Sequence, residues 1–288
     1  KNENYNSQNE IEKKLVIDPC EFHKVVHKLR EFFTQKGYFE VHTQNRLSIL
    51  AACEDPSTIN TFQYAGLTWP LPQTGQMWLE YELLKNPEPP GYFCVSTSYR
   101  NEPNPVPNRH DIIFPMFEFE LKGDFEELIR VEKELLEHLG YNLEKSGEDD
   151  YLNIAEKYNT KEVEHSHEMS LYEDYGSVFF LKNFPEYTSP FWNMKRNDSE
   201  GTSYKCDVIL SGQETIGSAE RSCDVERMRH DFLTISEGEY SGLIYSQFGK
   251  ERVDKELENF FDNKFMTRSG GGIGITRLIR SMKMEGLL

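Results

Sequence analysis

The sequence predicts an α+β fold in which an antiparallel sheet is flanked by helices. Three observations predict it. Two pairs of apolar and aromatic runs, 92–100 with 112–122 and 204–210 with 213–219, read as strands joined in hairpins. Capped helices stand on either side of the first pair. No internal repeat and no linker divides residues 15–288, so sheet and helices belong to one domain.

The elements follow in order. Residues 1–14, rich in Asn, Glu and Lys, read as a disordered lead-in. Asp18 can cap a helix, Pro19 suits its first position and Glu21 completes a capping box. Phe22, Val25, Val26, Leu29, Phe32 and Phe33 then form an apolar stripe, and Gly37 stops it. "YFEVHT" is a strand leaving that helix, and 45–75 is mostly loop with short strands. A second capped helix starts at Asp124, with Glu127 three residues on, and ends at Gly140; its stripe is Leu128, Val131, Leu135 and Leu139. Residues 150–175 read as helical and "SVFFLKNFP" as a strand. Helices are expected at 225–232 and 251–263. "SGGGIGITRLIRSMK" closes the chain as glycine loop, strand and helix.

Composition narrows the function. Of 288 residues 37% are hydrophobic, with 19 Phe, 15 Tyr and 3 Trp, which is enough to build a core. Asp and Glu total 49 against 32 Lys and Arg, a net charge of -17 that repels polyanions. Broad binding to DNA, RNA or an anionic membrane is therefore not expected, and no apolar run is long enough to span a bilayer. Cys20, Cys53, Cys94, Cys206 and Cys223 are scattered and form no C-x-x-C, which argues for reduced thiols and a cytoplasmic protein.

The hairpin 92–122 has two unlike faces. Val95, Thr97, Tyr99, Ile113, Phe117, Phe119 and Leu121 make one, a core face. Ser96, Ser98, Arg100, Glu102, Phe114, Met116, Glu118 and Glu120 make the other. A solvated sheet face explains the charges, but Phe114 and Met116 among them suit a lined pocket better. Arg100, Arg109 and His110 suggest a ligand with several anionic oxygens, because arginine's planar fork matches phosphate. Phe114 offers a flat face for a base.

The order Arg100-x-Glu102, Arg109-His110, Phe114 and Glu118-x-Glu120 resembles motif 2 of class II aminoacyl-tRNA synthetases. "GGGIGITRL" resembles motif 3, with Arg277 as its arginine. Between them "DVILSGQETIGSAER" resembles the third signature region of the aspartyl, asparaginyl and lysyl subgroup. The resemblance spans roughly residues 18–280 and implies the class II fold, ATP and Mg²⁺ as cofactors, and a homodimer. It implies that Arg100 holds the α-phosphate and the amino-acid carboxylate. Glu102 would meet the adenine amino group, Phe114 would stack on the ring, and Arg109, His110 and Arg277 would meet the outer phosphates. Such a clamp positions and neutralises, with no protein nucleophile.

Asp207 and Glu214 match the family's metal carboxylates. A two-residue turn at Ser211-Gly212 would set Glu214 opposite Ile209, on Asp207's face. The two would be roughly 7–8 Å apart at the backbone, a gap that one hydrated Mg²⁺ bridges. The resemblance places Gln76, Glu80, Glu118 and Arg221 around the amino acid. Leu79 stands where the aspartyl branch has lysine, so the set suits asparagine's amide, or an amine, better than a second carboxylate. "EHSHE" (164–168) reads as a polar helix and not a metal cluster, since His165 and His167 point apart. Trp78 and Trp192 flank site segments as pocket wall or as core.

The family's tRNA-charging members carry an anticodon-binding barrel ahead of this core, which is not seen before residue 18. Gln44 stands where motif 1 usually has proline, and only 11 residues follow Arg277. With the net charge, these features argue against tRNA as partner. They favour a free-standing relative resembling archaeal-type, ammonia-dependent asparagine synthetase: an AMP-forming ligase that passes an activated carboxylate to an amine. An asparaginyl-tRNA synthetase catalytic core and a non-catalytic binding module stay open beside it.

Overall fold

The computed structural model describes residues 17–52, 55–102 and 111–288, with Gln44 by its backbone alone. The lead-in 1–14, Cys53, Arg109 and His110 lie outside these residues. α1 (Pro19–Gln35) starts where the cap signal places it: Asp18 accepts from the N–H groups of Cys20 and Glu21 at 2.8 and 2.9 Å. Glu21 does not close a capping box; its carboxylate pairs with Lys283 at 2.6 Å. The strand after α1 is reduced to β1 (Phe39–Glu40), and β2 (Thr61–Tyr64) and β3 (Leu67–Pro70) form a separate hairpin. An unforeseen helix follows, α2 (Gln76–Lys85).

The foreseen hairpin is β4 (Gly91–Tyr99) with β5 (Ile113–Lys122), in the register Cys94–Glu118 and Ser98–Phe114. α3 (Phe125–Leu139) is capped by Asp124 and ended by left-handed Gly140. β6 (Gly147–Asp150), α4 (Tyr151–Lys157) and α5 (His165–Tyr175) occupy the stretch read as helical, and β7 (Val178–Pro185) follows. β8 (Arg196–Asn197) edges the second hairpin, β9 (Thr202–Leu210) with β10 (Gln213–Glu220). α6 (Val225–Thr234), α7 (Glu239–Phe248) and α8 (Lys250–Phe261) make a helical layer before β11 (Arg268–Gly274) and α9 (Ile275–Met284). Among the described residues nine strands form one sheet in the order β1-β4-β5-β11-β10-β9-β7-β6, with β8 beside β9. It is antiparallel except at β1–β4 and β6–β7. No described helix is long and apolar enough to cross a membrane.

The glycine run is not a loop. It is the middle strand, joining the two hairpins, with Gly270 opposite Glu120 and Gly271 opposite Ser218. A Cβ at Gly270 would collide with Glu120's carboxylate and lie 2.6 Å from Gln76 Nε2, so these side chains need a strand without its own.

The face of the sheet away from the charged residues carries the main core. Phe93, Phe117, Phe119, Val208, Ile216 and Ile273 pack there against α1, α3 and α9. One acid is buried with them. Glu132 on α3 is fully buried, with only the Ser218 hydroxyl favouring its charged form. Burial, with the Asp207 charge adding, pushes its pKa up to about 8. The folded protein therefore holds Glu132 neutral where the unfolded chain ionises it, from about pH 4.3 upward, and stability is lost as pH rises across that window. Replacing Glu132 by Met removes the titration. Unfolding free energies should show the variant's advantage growing by roughly 3 kcal/mol between pH 5 and 7.5. A gap that does not change with pH would contradict this.

Candidate active site

The opposite face of the sheet lines a cavity of about 690 Å³. Period-2 alternation delivers Phe114, Met116 and Glu118 to it, as the sequence predicts, while Ser96 and Glu120 on the same face stand behind the lining as partners of Glu118 and Arg221. Arg100 and Glu102 leave the end of β4 at one rim. The Arg100 guanidinium lies 5.6 Å from the centre of the Phe114 ring. Burial lowers its pKa, and Glu214 opposes that shift. Arg277, on the first turn of α9, closes this end. Its Nη1 donates to the backbone oxygen of Glu214 at 2.8 Å and lies 3.9 Å from Glu214's carboxylate. A small adjoining pocket is walled by Arg100, Glu102, Asp111, Phe114, Gly274, Thr276 and Arg277.

The second hairpin forms the next wall. Its turn has Ser211 at φ 48° and Gly212 at φ 78°, the two-residue type I′ geometry, and Glu214 sits opposite Ile209 as expected. A bulge at Thr215 then advances the register, so that Gly217 and not Ile216 faces Asp207. A Cβ on Gly217 would lie 3.3 Å from Glu214 Oε1 and 3.8 Å from Asp207 Oδ1: the two carboxylates converge over the glycine. Asp207 Oδ2 accepts from Lys205 at 2.8 Å, while the buried Oδ1 has no partner. Burial raises the Asp207 pKa, Lys205 lowers it and Glu214 raises it further. A buried, partnerless carboxylate oxygen beside a second carboxylate fits a divalent cation. Two ligands suit Mg²⁺, which keeps waters and substrate phosphates in its remaining positions. Among the described residues no group of three or more His, Cys, Asp or Glu is placed to hold a metal. "EHSHE" starts α5: His167 Nδ1 accepts from the Glu164 N–H at 2.9 Å in a reciprocal cap.

The far end of the cavity is a buried charge network. Glu80 on α2, fully buried, accepts from Arg268 Nε and Nη2 at 3.0 and 2.7 Å and from Asn193 Nδ2 at 2.6 Å. Arg221 forks onto Glu120, Nε and Nη2 each 3.3 Å from a carboxylate oxygen, and lies 3.9 Å from Glu80. Burial disfavours the Arg221 charge, but Glu120 and Glu80 more than offset that and raise its pKa. Glu120 itself is raised by burial and held down by Arg221. Gln76 donates to the Phe119 carbonyl at 3.0 Å and to Glu120. Glu118 accepts from the Gly75 N–H at 2.6 Å, from Ser96 at 2.5 Å and from the Thr74 hydroxyl.

Every described site candidate therefore lines this one cavity. The sequence reading missed Glu120's pairing, Arg268, Asn193 and Lys205. Glu120 was visible on the charged face; the other three carried no local signal. Trp78 and Trp192 are buried as core and do not line the cavity.

The sequence profile of the class II tRNA synthetases (D, K and N) matches residues 14–285. The chain belongs to that family. No curated protein matches it significantly. Among solved structures, class II synthetases share its fold. Asparaginyl-tRNA synthetase from Pyrococcus horikoshii, complexed with asparaginyl-adenylate, superposes with a TM-score of 0.72 at 18% identity, covering 91% of this chain and 64% of that one. The Entamoeba histolytica asparaginyl-tRNA synthetase, also with asparaginyl-adenylate, gives 0.71 at 16%, covering 96% and 65%. A putative aspartyl-tRNA synthetase from Leishmania major Friedlin gives 0.71 at 16%, covering 91% and 61%. The chain thus spans less than two thirds of each. All three are tRNA synthetases, so the expectation of an acceptor other than tRNA draws no support from them.

Proposed function

We propose that this chain is an ATP-dependent, AMP-forming ligase that activates the carboxylate of an asparagine- or aspartate-like amino acid as its acyl-adenylate. One observation carries the reading. Arg100, Glu102, Phe114 and Arg277 stand at one end of a single cavity, Gln76, Glu80, Glu118 and Arg221 at the other, with Asp207 and Glu214 on the wall they share.

In the proposed reaction Phe114 stacks on adenine and Glu102 accepts from its amino group. Arg100 holds the α-phosphate against the incoming carboxylate, and Arg277 holds the outer phosphates. A carboxylate oxygen attacks the α-phosphorus and the bond to pyrophosphate breaks. No side chain needs to act as nucleophile, because positioning and charge neutralisation supply the rate. Asp207 and Glu214 would hold Mg²⁺, which when bound neutralises phosphate charge. Lys205, paired with Asp207, keeps that carboxylate fixed.

The activated acyl group then passes to an acceptor with release of AMP. Acidic composition favours a small amine such as ammonia, and membership of the family favours tRNA equally well. Mass spectrometry of the protein incubated with ATP, Mg²⁺ and an amino-acid mixture tests the activation step. A bound acyl-adenylate supports it; ATP left intact with every amino acid refutes it. Adding ammonia or tRNA to the isolated adenylate complex, and following AMP release, assigns the acceptor.

A further inference from the structure

The wall that carries Asp207 and Glu214 also carries a cation of its own. Lys205 stands two residues before Asp207 on β9, so the two side chains leave the same face of the strand, and both line the cavity. Its ammonium is fixed from two sides. It donates to Asp207 Oδ2 at 2.8 Å and lies 3.7 Å from the centre of the Phe184 ring. Burial disfavours its charge, but Asp207 and Glu214 more than offset that and raise its pKa. Asp207 is thereby divided. Oδ2 is taken by Lys205, while Oδ1, buried without a partner, converges with Glu214 Oε1 over Gly217. Glu214 is divided in the same way, since its Oε2 lies 3.9 Å from Arg277 Nη1. Each carboxylate has a cation on one oxygen and leaves the other for a ligand. Glu168, which accepts from the Glu214 N–H at 3.2 Å, adds an acid, and Arg100, whose charge Glu214 sustains, adds a cation. These three acids and three cations balance.

We propose that Lys205 makes divalent-cation binding at Asp207 and Glu214 conditional on the nucleotide: its ammonium withholds Asp207 Oδ2 and cancels one charge, so the cation is held only together with phosphate oxygens. The inference rests on the activation reading above and adds to it the residue that sets when the cation binds. Two carboxylates with no cation beside them would neutralise a divalent ion by themselves; this balanced wall does not. Even at the dielectric constant of water, a unit charge about 6 Å from a divalent ion changes its affinity roughly tenfold, and more in a cavity that excludes water. Phosphate oxygens supply both the charge and the ligands that the wall withholds. Cation and nucleotide then strengthen one another's binding by the same factor. A lysine that served only to hold β9 in place would leave cation affinity unchanged.

Electron paramagnetic resonance of free Mn²⁺, titrated into the full chain without nucleotide, tests the proposal without requiring turnover. Lys205→Met, whose side chain keeps the contact with Phe184 and loses the charge, should bind Mn²⁺ at least tenfold more tightly than the parent. Lys205→Arg, which keeps the charge, should bind it as weakly as the parent. Adding Asp207→Asn to Lys205→Met should abolish the gain, which ties it to this carboxylate. A second measurement uses the parent alone and needs no variant to fold: ATP should bind at least tenfold more tightly with Mg²⁺ than with a chelator. A gain of less than tenfold in Lys205→Met, a gain that persists with Asp207→Asn, or ATP affinity in the parent that ignores Mg²⁺ would overturn the proposal. If ATP affinity rises with Mg²⁺ while Lys205→Met gains nothing, the activation reading stands and this inference alone fails. If ATP affinity ignores Mg²⁺ and neither protein binds Mn²⁺, the assignment of Asp207 and Glu214 as cation ligands fails with it.

Discussion

Replacing Arg100 by alanine should lower amino-acid-dependent ATP–pyrophosphate exchange about a thousandfold, because one preorganised donor to developing charge is worth that order of rate. Arg100 stands where the two hairpins and α9 meet. Burial lowers its pKa, Glu214 and Glu102 sustain its charge, and Arg277 lies close enough to oppose it. Two arginines held this near each other repel, and an anion between them relieves the repulsion. The loss should fall mainly on the rate, with ATP affinity changed less, since Glu102, Phe114 and Arg277, the other residues proposed to meet the nucleotide, remain in place. Arg100→Lys should recover little, as an ammonium cannot reproduce the planar fork. Exchange reduced less than tenfold in Arg100→Ala would show that this residue does not hold the reacting phosphate.

The second large effect is on stability. Arg268 and Glu80 are both fully shielded from water, and two guanidinium nitrogens of Arg268, Nε and Nη2, donate to Glu80 Oε2. Removing one partner leaves a buried, uncompensated charge, at a cost of about 3–5 kcal/mol. Arg268→Met should destabilise by that amount in denaturant titration. Adding Glu80→Gln to the same chain should return part of the loss, since the stranded charge is gone. A single variant within 1 kcal/mol of the parent would contradict this and mean that water reaches Glu80. The pair also fixes the site: Glu80 orients Asn193 and lies 3.9 Å from Arg221, so the variant's floor should loosen as it destabilises.

How much of this was legible depended on range. The hairpin 91–122 was readable because a strand pair with one apolar and one charged face shows as alternation; the structure keeps it at Val95, Phe117, Phe119 and Leu121, whereas Ile113, read as core, is exposed near the open end of the hairpin. Asp207 and Glu214 were brought together by the Ser211-Gly212 turn, a two-residue signal, although the bulge at Thr215 was not visible. α2 was missed because Met77, Trp78, Leu79, Glu80, Leu83 and Leu84 are all buried, and a helix buried nearly all round shows no stripe. β11 was misread because glycine is a poor strand former by itself. Only its neighbours, Glu120 on one face and Ser218 on the other, require a strand without side chains. Arg268 and Glu80 lie 188 residues apart, and no local pattern announces such a pair. The asparagine at 193 was silent for the same reason.

The account's central claim is that the two ends of the cavity bind ATP and an amino acid for one reaction. Exchange of labelled pyrophosphate into ATP, run with each amino acid in turn, tests it most directly. The account predicts exchange that depends on Mg²⁺ and on an amino acid of the asparagine or aspartate type, and that is lost in Arg100→Ala. Exchange with no amino acid, by a folded protein that binds ATP, would contradict it.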